Sequence, residues 1–332
     1  MRAAVIGSGS FGTALANTLA TRCTEVRCWA REPAVVEAIN SRRENTTYLP
    51  GIPVSPRVKA TTSMEEALPG AEVVVVATPS HATRDVMRKA VPFLPEAAPV
   101  VTVSKGIEND TLLTMTQLLA ACLPESHRGN IAILSGPSFA KEIAAGMPTA
   151  VTIAARVEAV ALKIQAALQT ETFRTYTSTD VIGVEIGGAL KNVIAVAAGI
   201  VDGLGFGLNA RSALITRGLA EITRIAVKLG ANPLTLMGLS GLGDLVLTCT
   251  GDLSRNRRVG IELGKGKALS DILAGMNQVA EGVKTAKSAR DLSRKVGVEL
   301  PICDQVYAIM YEGKNPRRAV VELMTRAPKK ED

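Results

Sequence analysis

The sequence predicts an α/β fold: a doubly wound, mostly parallel sheet followed by a C-terminal all-helical domain. Up to about residue 180, short runs of β-branched and apolar residues alternate with stretches long enough for crossover helices. Beyond that point helical patterns follow one another, with no convincing strand pattern among them. We therefore expect two domains, residues 1–180 and residues 181–332.

Seven short runs are the strand candidates. Their nearly continuous apolar character indicates a parallel sheet covered by helices on both faces. The stretches 11–22 and 80–91 are typical of the crossover helices between them. The predicted strands are residues 2–7, 25–30, 57–62, 72–78, 99–104, 131–136 and 149–155.

In the second half, "VIGVEIGGALKNVIAVAAGIV" at 181–201 predicts one long buried helix. Pro233 and the glycine-rich segments 238–244 and 264–267 interrupt the helical series that follows. The further predicted helices are residues 211–229, 255–264, 281–295 and 303–312.

The composition favours a globular, cytoplasmic protein. Hydrophobic residues make up 47% and charged residues 21% of the 332 residues. The apolar stretch 193–201 is about half the length of a bilayer span, so no membrane span is expected. The N-terminus runs straight into a strand pattern without a signal-peptide core. Five widely spaced cysteines give neither a disulfide framework nor a zinc pattern, which predicts reduced thiols and no metal.

The formal charge of +7 indicates an anionic partner. A nucleic-acid partner is not expected, because no block of lysine and arginine is interleaved with aromatic residues. Short basic pieces such as "SRNRR" at 254–258 fit a small anion instead, phosphates above all.

The segment "GSGSFG" at 7–12 has the spacing G-x-G-x-x-G. It follows a predicted strand and begins a predicted helix, and a second strand closes a unit of about thirty residues. Gly7 allows the tight turn, Gly9 allows close approach to a pyrophosphate, and Gly12 allows the helix to pack on the strand. Ser10 and Phe11 offer backbone amides at the positive helix end. The context favours a Rossmann-type dinucleotide cradle over the alternative, a structural glycine turn.

The end of the second strand bears on the identity of the nucleotide. Arg31 lies where dinucleotide-binding proteins that use NAD carry an acidic residue, and an arginine there favours the 2′-phosphate of NADP. Glu32 is adjacent and leaves NAD open. The alternative for Arg31 is a solvated charge after a strand. We predict a site that accepts NADP and tolerates NAD.

Lys191 is the unusual residue of the long apolar helix. Desolvation lowers the pKa of a lysine toward neutrality, which suits a proton donor or acceptor beside a carbonyl. The alternative is a lysine whose stem packs in the helix while its ammonium group reaches solvent.

Two predicted strands end in polar loops, where open α/β sheets place their ligands. Lys105 follows the strand at 99–104 and could meet a phosphate or carbonyl oxygen. Gly136 and Ser138 follow the strand at 131–136 and allow close approach at a second helix start. The alternatives are a solvated lysine and a well-capped helix.

The segment "GLGDLVLTCTGDLSRNRR" at 241–258 collects an acid, hydroxyls, an amide and arginines. Asp244 could hold a lysine or a substrate hydroxyl. Ser254, Arg255 and Asn256 could bind a phosphate through charge-assisted hydrogen bonds. The alternative is a polar loop that caps a basic helix.

Taken together, six segments resemble the bacterial NAD(P)-dependent glycerol-3-phosphate dehydrogenases, in that family's order and over nearly the whole chain. "GGALKNV" combined with "GDLVLTCT…SRNRR" is the most specific part. The others are "GSGSFGTALA", "SKGIE", "SGPSFAKEIAAGMPTA" and "VAEGVKT". The resemblance implies interconversion of dihydroxyacetone phosphate and sn-glycerol 3-phosphate with NADP or NAD, supply of glycerophospholipid synthesis, and a homodimer.

The resemblance also implies roles for individual residues. Lys191 matches the proton donor or acceptor, with Asp244 orienting it. The substrate contacts implied are Lys105, Gly136, Ser138, Lys191, Asp244, Ser254, Arg255 and Asn256. The cofactor contacts implied are Ser10, Phe11, Arg31, Tyr48, Lys105, Ala140, Arg255, Val279 and Glu281.

Two other functions remain open from the sequence. One is a dehydrogenase of the β-hydroxyacid or ketopantoate type, which would recognise a carboxylate in place of a phosphate. The other is a non-catalytic NADP-sensing module in which Lys191 is only structural.

Overall fold

A computed structural model describes residues 1–276, 280–328 and 330–331. The strands are β1 Arg2–Ile6, β2 Glu25–Trp29, β3 Glu44–Asn45, β4 Leu49–Pro53, β5 Val58–Thr61, β6 Val73–Val76, β7 Val100–Thr102, β8 Ile131–Ser135, β9 Thr149–Ala155 and β10 Phe173–Ser178. The helices of the first half are α1 Ser10–Ala20, α2 Pro33–Glu37, α3 Met64–Ala67, α4 Thr83–Ala90, α5 Met115–Cys122, α6 Ala140–Ala144 and α7 Glu158–Leu168. Those of the second half are α8 Val181–Gly203, α9 Gly207–Lys228, α10 Pro233–Leu236, α11 Asp244–Thr250, α12 Arg255–Gly264, α13 Leu269–Ala274, α14 Glu281–Val296, α15 Pro301–Tyr311 and α16 Pro316–Met324.

Eight strands form one sheet in the order β10-β9-β8-β7-β6-β1-β2-β5. Every neighbouring pair is parallel except β8 and β9, which are antiparallel. The chain leaves β1 toward β2 on one side and returns to β6 on the other, so the order reverses between β1 and β6. Ligands of open α/β sheets bind at such a switch point. The predicted fold class, a mostly parallel doubly wound sheet followed by helices, is confirmed.

The structure differs from the sequence-based prediction at three places in the strands. β10 was not predicted, because its buried Phe173 and Thr175 alternate with exposed Arg174 and Tyr176, a weak pattern typical of a sheet edge. The small antiparallel pair of β3 and β4 was also not predicted. β9 runs antiparallel to β8, and the connection between them contains only the five-residue helix α6.

Side chains from alternate strand positions pack on opposite faces of the sheet, as the strand pleat requires. Val5, Leu15 of α1 and Ile164 of α7 belong to one hydrophobic cluster on one face. Ile6 packs with Met87 of α4 on the other. Both faces are therefore covered by helices, which explains the nearly continuous apolar strands.

The helical part is built around α8, of whose 23 residues 20 are buried. By length and composition alone α8 could cross a membrane, but 94% of its most apolar window is buried inside the protein, as in any core helix. The run Pro233–Thr250 passes the same length test with 39% buried, although it consists of α10, a π turn at Leu239–Gly243, and α11.

The backbones of α8 and α12 touch through glycines. A Cβ on Gly199 would lie 2.0 Å from the carbonyl oxygen of Arg257, and one on Gly260 would lie 2.0 Å from that of Val196. Real Cβ atoms essentially never approach backbone so closely. The close crossing fixes the start of α12 against the middle of α8, where the candidate functional residues lie.

We expect the substitution Gly199→Ala to lower the free energy of unfolding by about 3 kcal/mol or more, because α12 must move to admit the methyl group. Thermal unfolding would measure this loss. Gly129→Ala is the matched control: Gly129 is exposed, nothing lies within 4 Å of its added Cβ, and a change within about 0.5 kcal/mol is expected. Equal Tm values for the two variants would contradict the close-packing argument.

Candidate active site

The turn after β1 is shaped by its glycines. Gly7 has φ +110°, and a Cβ there would lie 2.6 Å from the carbonyl oxygen of Ala77. A Cβ on Gly12 would lie 1.9 Å from the carbonyl oxygen of Gly7, so both glycines are required by the protein's own packing. Gly9 is different, because nothing lies within 4 Å of its added Cβ. That open space borders the N-terminus of α1, at the switch point of the sheet, and fits a pyrophosphate.

The end of β2 carries a small polar cluster. The Arg31 guanidinium pairs with Glu32, with Nη2 and Oε1 2.6 Å apart. The Tyr48 hydroxyl lies 3.4 Å from the same carboxylate oxygen. Ser10, in the first turn of α1, donates a hydrogen bond through Oγ to the carbonyl oxygen of Tyr48. Arg31 and Tyr48, predicted as cofactor contacts, therefore lie together beside the cradle.

One buried carboxylate joins the two lysines singled out in the sequence. Lys191 Nζ lies 2.5 Å from Asp244 Oδ1, and Lys105 Nζ lies 2.6 Å from Asp244 Oδ2. Lys191 also donates to Thr248 Oγ1 at 2.6 Å. The lysine of α8, the loop after β7 and the first residue of α11 thus meet at Asp244.

Burial and charge act together on this cluster. Lys191 is 6% exposed, and burial lowers its pKa to about 8, although the Asp244 carboxylate opposes this and Lys105 adds to it. Burial alone would raise the pKa of Asp244, but Lys105 and Lys191 outweigh burial and hold that pKa below its usual value. Lys191 is therefore buried and mostly protonated at pH 7, and with a pKa of about 8 it can give up or take a proton slightly above neutral pH. Its ammonium group does not reach solvent as the alternative from sequence supposed.

The loop after β8 brings two further predicted residues to the cluster. The carbonyl oxygen of Gly136 accepts hydrogen bonds from Lys105 Nζ at 3.1 Å and from Ser138 Oγ at 2.8 Å. Gly136 has φ +148°, and a Cβ there would lie 2.9 Å from the Cα of Val151. Ala140 begins α6 and packs against the core that contains α1. The ends of β7 and β8 therefore form one wall.

The basic segment begins α12. Ser254 Oγ accepts a hydrogen bond from the backbone N–H of Arg257, so its side chain caps the helix as the alternative from sequence supposed. Asn256 donates to Asn192 Oδ1 at 2.9 Å and accepts from the N–H of Gly282 at 2.9 Å. Arg255 lies between these two residues and is exposed. The amide of Asn256 thus joins α8, α12 and α14.

The beginning of α14 is bound to the sheet. The Glu281 carboxylate accepts hydrogen bonds from the backbone N–H of Ser80 at 3.1 Å and from its Oγ at 2.5 Å. Ser80 follows β6, on the other side of the switch point. Glu281, predicted as a cofactor contact, therefore borders the cradle. Val279, predicted with it, lies outside the described residues.

Sequence reasoning missed three residues of this region. Asn192 and Thr248 had signals: Asn192 is the polar neighbour of Lys191 in an apolar helix, and Thr248 lies one helical turn after Asp244. Ser80 had none beyond its place after a strand.

A dinucleotide cradle at a switch point, together with a buried lysine whose pKa is lowered to about 8, is typical of the class of nicotinamide-dependent dehydrogenases. Comparisons with known proteins agree. Profiles of NAD-dependent glycerol-3-phosphate dehydrogenase match residues 2–161 (N-terminus) and 180–321 (C-terminus).

Two curated relatives carry the name glycerol-3-phosphate dehydrogenase [NAD(P)+]. One, from Myxococcus xanthus, is 70% identical over 331 residues, covering 100% of this chain and 99% of the relative. Another, from Citrifermentans bemidjiense, is 55% identical and covers 99% and 98%. A crystal structure of glycerol-3-phosphate dehydrogenase from Coxiella burnetii is 37% identical with a TM-score of 0.91, covering 98% of this chain and 99% of that one. The chain belongs to the NAD(P)-dependent glycerol-3-phosphate dehydrogenase family, and it is an oxidoreductase that uses NAD or NADP.

We expect Gly9→Ala to separate folding from cofactor binding. The φ of −71° and ψ of −175° at Gly9 suit alanine, and the added methyl group meets no protein atom, so Tm stays within about 1 °C of the wild type. The methyl group does enter the space where a pyrophosphate approaches the backbone, so the Kd for NADPH rises about tenfold or more. Fluorescence titration with NADPH measures this, with Gly129→Ala as control. An unchanged Kd for NADPH in Gly9→Ala would contradict the prediction that a pyrophosphate binds at this turn.

Proposed function

We propose that this enzyme interconverts dihydroxyacetone phosphate and sn-glycerol 3-phosphate, with Lys191 as the proton donor and acceptor. The observation that carries the proposal is the buried Asp244 carboxylate shared by Lys191 and Lys105. Family membership supports the substrate, and both alternatives from sequence, a carboxylate-recognising reductase and a non-catalytic module, lack that support.

The nicotinamide cofactor, when bound, supplies or accepts the hydride. In the reductive direction Lys191 gives a proton to the oxygen that develops negative charge at C2 of the ketone. Asp244 holds the ammonium group of Lys191 in one position, and Lys105 on the other carboxylate oxygen weakens the hold of Lys191 on its proton. In the oxidative direction neutral Lys191 takes the proton from the C2 hydroxyl.

The residues around this cluster would hold the substrate. Lys105, Gly136 and Ser138 form the wall beside Lys191, where a carbonyl or hydroxyl oxygen can be met. Arg255 and Asn256, with Ser254 at the cap, supply cationic and amide donors for the phosphate. Holding the phosphate fixes C2 relative to Lys191, and such positioning contributes several kcal/mol to lowering the barrier, about 7 or more in the best cases.

For the cofactor, the cradle glycines Gly7, Gly9 and Gly12 would admit the pyrophosphate, and Arg31 would meet the 2′-phosphate of NADP. Glu32, paired with Arg31, would accept from the 2′-hydroxyl of NAD. The remaining proposed contacts are Ser10, Phe11, Tyr48, Lys105, Ala140, Arg255, Val279 and Glu281.

Four broader proposals are made: the resemblance supports the homodimer and the metabolic role, the composition supports the location, and the change of pattern near residue 180 supports the division of the chain. The enzyme works in the cytoplasm as a homodimer, and its reductive direction supplies sn-glycerol 3-phosphate for glycerophospholipids. The chain divides into a cofactor domain, residues 1–180, and a helical substrate domain, residues 181–332. In support of that division, β10 ends at Ser178 and α8 begins at Val181.

We expect Lys191→Ala to lower kcat for dihydroxyacetone phosphate reduction about 100-fold to 10,000-fold, the range of general acid catalysis. NADPH oxidation measures the rate, and NADPH binding should be retained. Lys228→Ala, at the exposed end of α9, is the matched control and should keep wild-type activity. Turnover by Lys191→Ala near the wild-type rate would refute the role of the lysine.

The pH dependence should have opposite signs in the two directions. Reduction needs protonated Lys191, so kcat/KM for dihydroxyacetone phosphate falls as the pH rises through about 8. Oxidation needs neutral Lys191, so kcat/KM for sn-glycerol 3-phosphate rises through the same range. Profiles that move in the same direction would contradict a lysine acting as both acid and base.

We expect Arg31→Ala to raise the KM for NADPH about tenfold while the KM for NADH changes less than about twofold, because only NADPH carries the 2′-phosphate. Glu32→Gln is the complementary variant and should favour NADPH, since it releases Arg31 from its ion pair. Initial rates with both cofactors measure the ratio. Parallel changes for both cofactors would show that Arg31 does not select between them.

A further inference from the structure

Glu185 is a buried carboxylate of α8 that the proposed mechanism does not use. It is 5% exposed and lies six residues before Lys191, about 9 Å along the helix. Its oxygens accept hydrogen bonds from Thr114 Oγ1 at 2.8 Å, the backbone N–H of Thr116 at 2.7 Å and Thr116 Oγ1 at 2.6 Å. Thr114 is the N-cap of α5 and Thr116 lies in its first turn, so a carboxylate of the helical part caps a helix of the sheet part.

The same contact fixes one end of the loop that carries Lys105. Between β7 and α5 the chain folds back on itself: Ile107 pairs with Thr114 in an antiparallel bridge, and the N–H of Glu108 donates to the carbonyl oxygen of Leu113 at 3.0 Å. Ile107 is 4% exposed and packs in the core built around α8. Lys105 lies two residues before Ile107. Thr114 is therefore connected to the Lys105 segment through the bridge at Ile107.

Helix α8 thus meets this loop at two points. Glu185 binds its far end at Thr114, and Lys191 meets its near end through the carboxylate shared with Lys105. We propose that Glu185 is a positioning residue, which caps α5 and thereby holds the loop so that Lys105 Nζ stays on Asp244. The proposal rests on the proposed roles of Lys105 and Lys191.

The acidity of Lys191 reports on the position of Lys105. The charged and titratable groups that face Lys191 are Asp244, Lys105 and the Cys249 thiol. Withdrawing Lys105 removes a like charge and leaves Asp244 less compensated, and both effects raise the pKa of Lys191. The high-pH limb of reduction then moves to higher pH. Loss of stability alone would not move that limb.

The experiment is the pH profile of kcat/KM for dihydroxyacetone phosphate at saturating NADPH. For Lys105→Met and for Glu185→Ala we expect the high-pH limb to move upward by about half a pH unit or more. In both variants the charge of Lys105 is lost from the neighbourhood of Lys191. In Glu185→Ala, kcat/KM at pH 7 should fall about tenfold or more, as misplaced groups cost up to about 100-fold.

The double variant should move the limb no further than Lys105→Met alone. Glu185→Gln should restore the wild-type limb, because its amide oxygen still accepts from Thr116 and the threonine hydroxyls accept from its NH₂.

Glu221→Ala is the matched control. Glu221 is 4% exposed on α9 and likewise caps a helix, accepting from the N–H of Ile302 at 2.8 Å and of Cys303 at 3.4 Å. Neither of these two contacts involves the loop that carries Lys105. For Glu221→Ala we expect a lower Tm but no movement of the high-pH limb of kcat/KM.

Three results would overturn the proposal. If the high-pH limb moves in Lys105→Met but not in Glu185→Ala, the role of Glu185 is refuted and the proposed roles of the lysines stand. An equal movement in Glu221→Ala shows a general effect of destabilisation. An unmoved limb in Lys105→Met refutes the proposed roles of the lysines and this inference with them. Should Glu185→Ala fail to fold, Glu185→Asp, one methylene shorter, undergoes the same test.

Discussion

The site depends on one pair of interactions: the Asp244 carboxylate binds Lys105 through one oxygen and Lys191 through the other. A buried ion pair stabilises a fold only weakly, because desolvation opposes the attraction, but removing one partner leaves an uncompensated charge. Here two lysines share one carboxylate, so the cluster carries excess positive charge while both lysines are protonated. The three residues come from three separate segments. The ion cluster therefore fixes how the loop after β7, α8 and α11 meet.

Helix α8 is the support for that cluster. Its side chains are buried on nearly every side, so Lys191 cannot move away without disturbing the core. The glycine contacts with α12 bring Asn256 to Asn192, and Asn256 in turn holds the beginning of α14. Glu281 then binds Ser80 after β6. A chain of polar contacts therefore runs from α8 through α12 and α14 to the loop after β6.

Much of this could be predicted from sequence, because periodicity and spacing are local. The seven predicted strands, the long buried helix and the glycine turn are all features of consecutive residues. The sharing of Asp244 is not local: its lysines lie 53 and 139 residues away in the chain. The edge strand β10 has only one weakly apolar face. The sequence of β9 contains no pattern that distinguishes an antiparallel strand from a parallel one. Glu185 is a charged residue in an apolar helix, which signals a partner, but the sequence could not identify that partner because it lies about seventy residues away.

The direct contact of the α8 and α12 backbones has a consequence for how such an enzyme diverges. Any side chain larger than hydrogen at Gly199 or Gly260 would push the two helices apart. Larger residues are therefore not tolerated along this contact. Changes of shape that would admit a different substrate are expected instead in the loops after β7 and β8, where residues 108–113 and 137–140 are partly buried or exposed. New specificities in this scaffold would be acquired by remodelling its loops around an unchanged pair of helices.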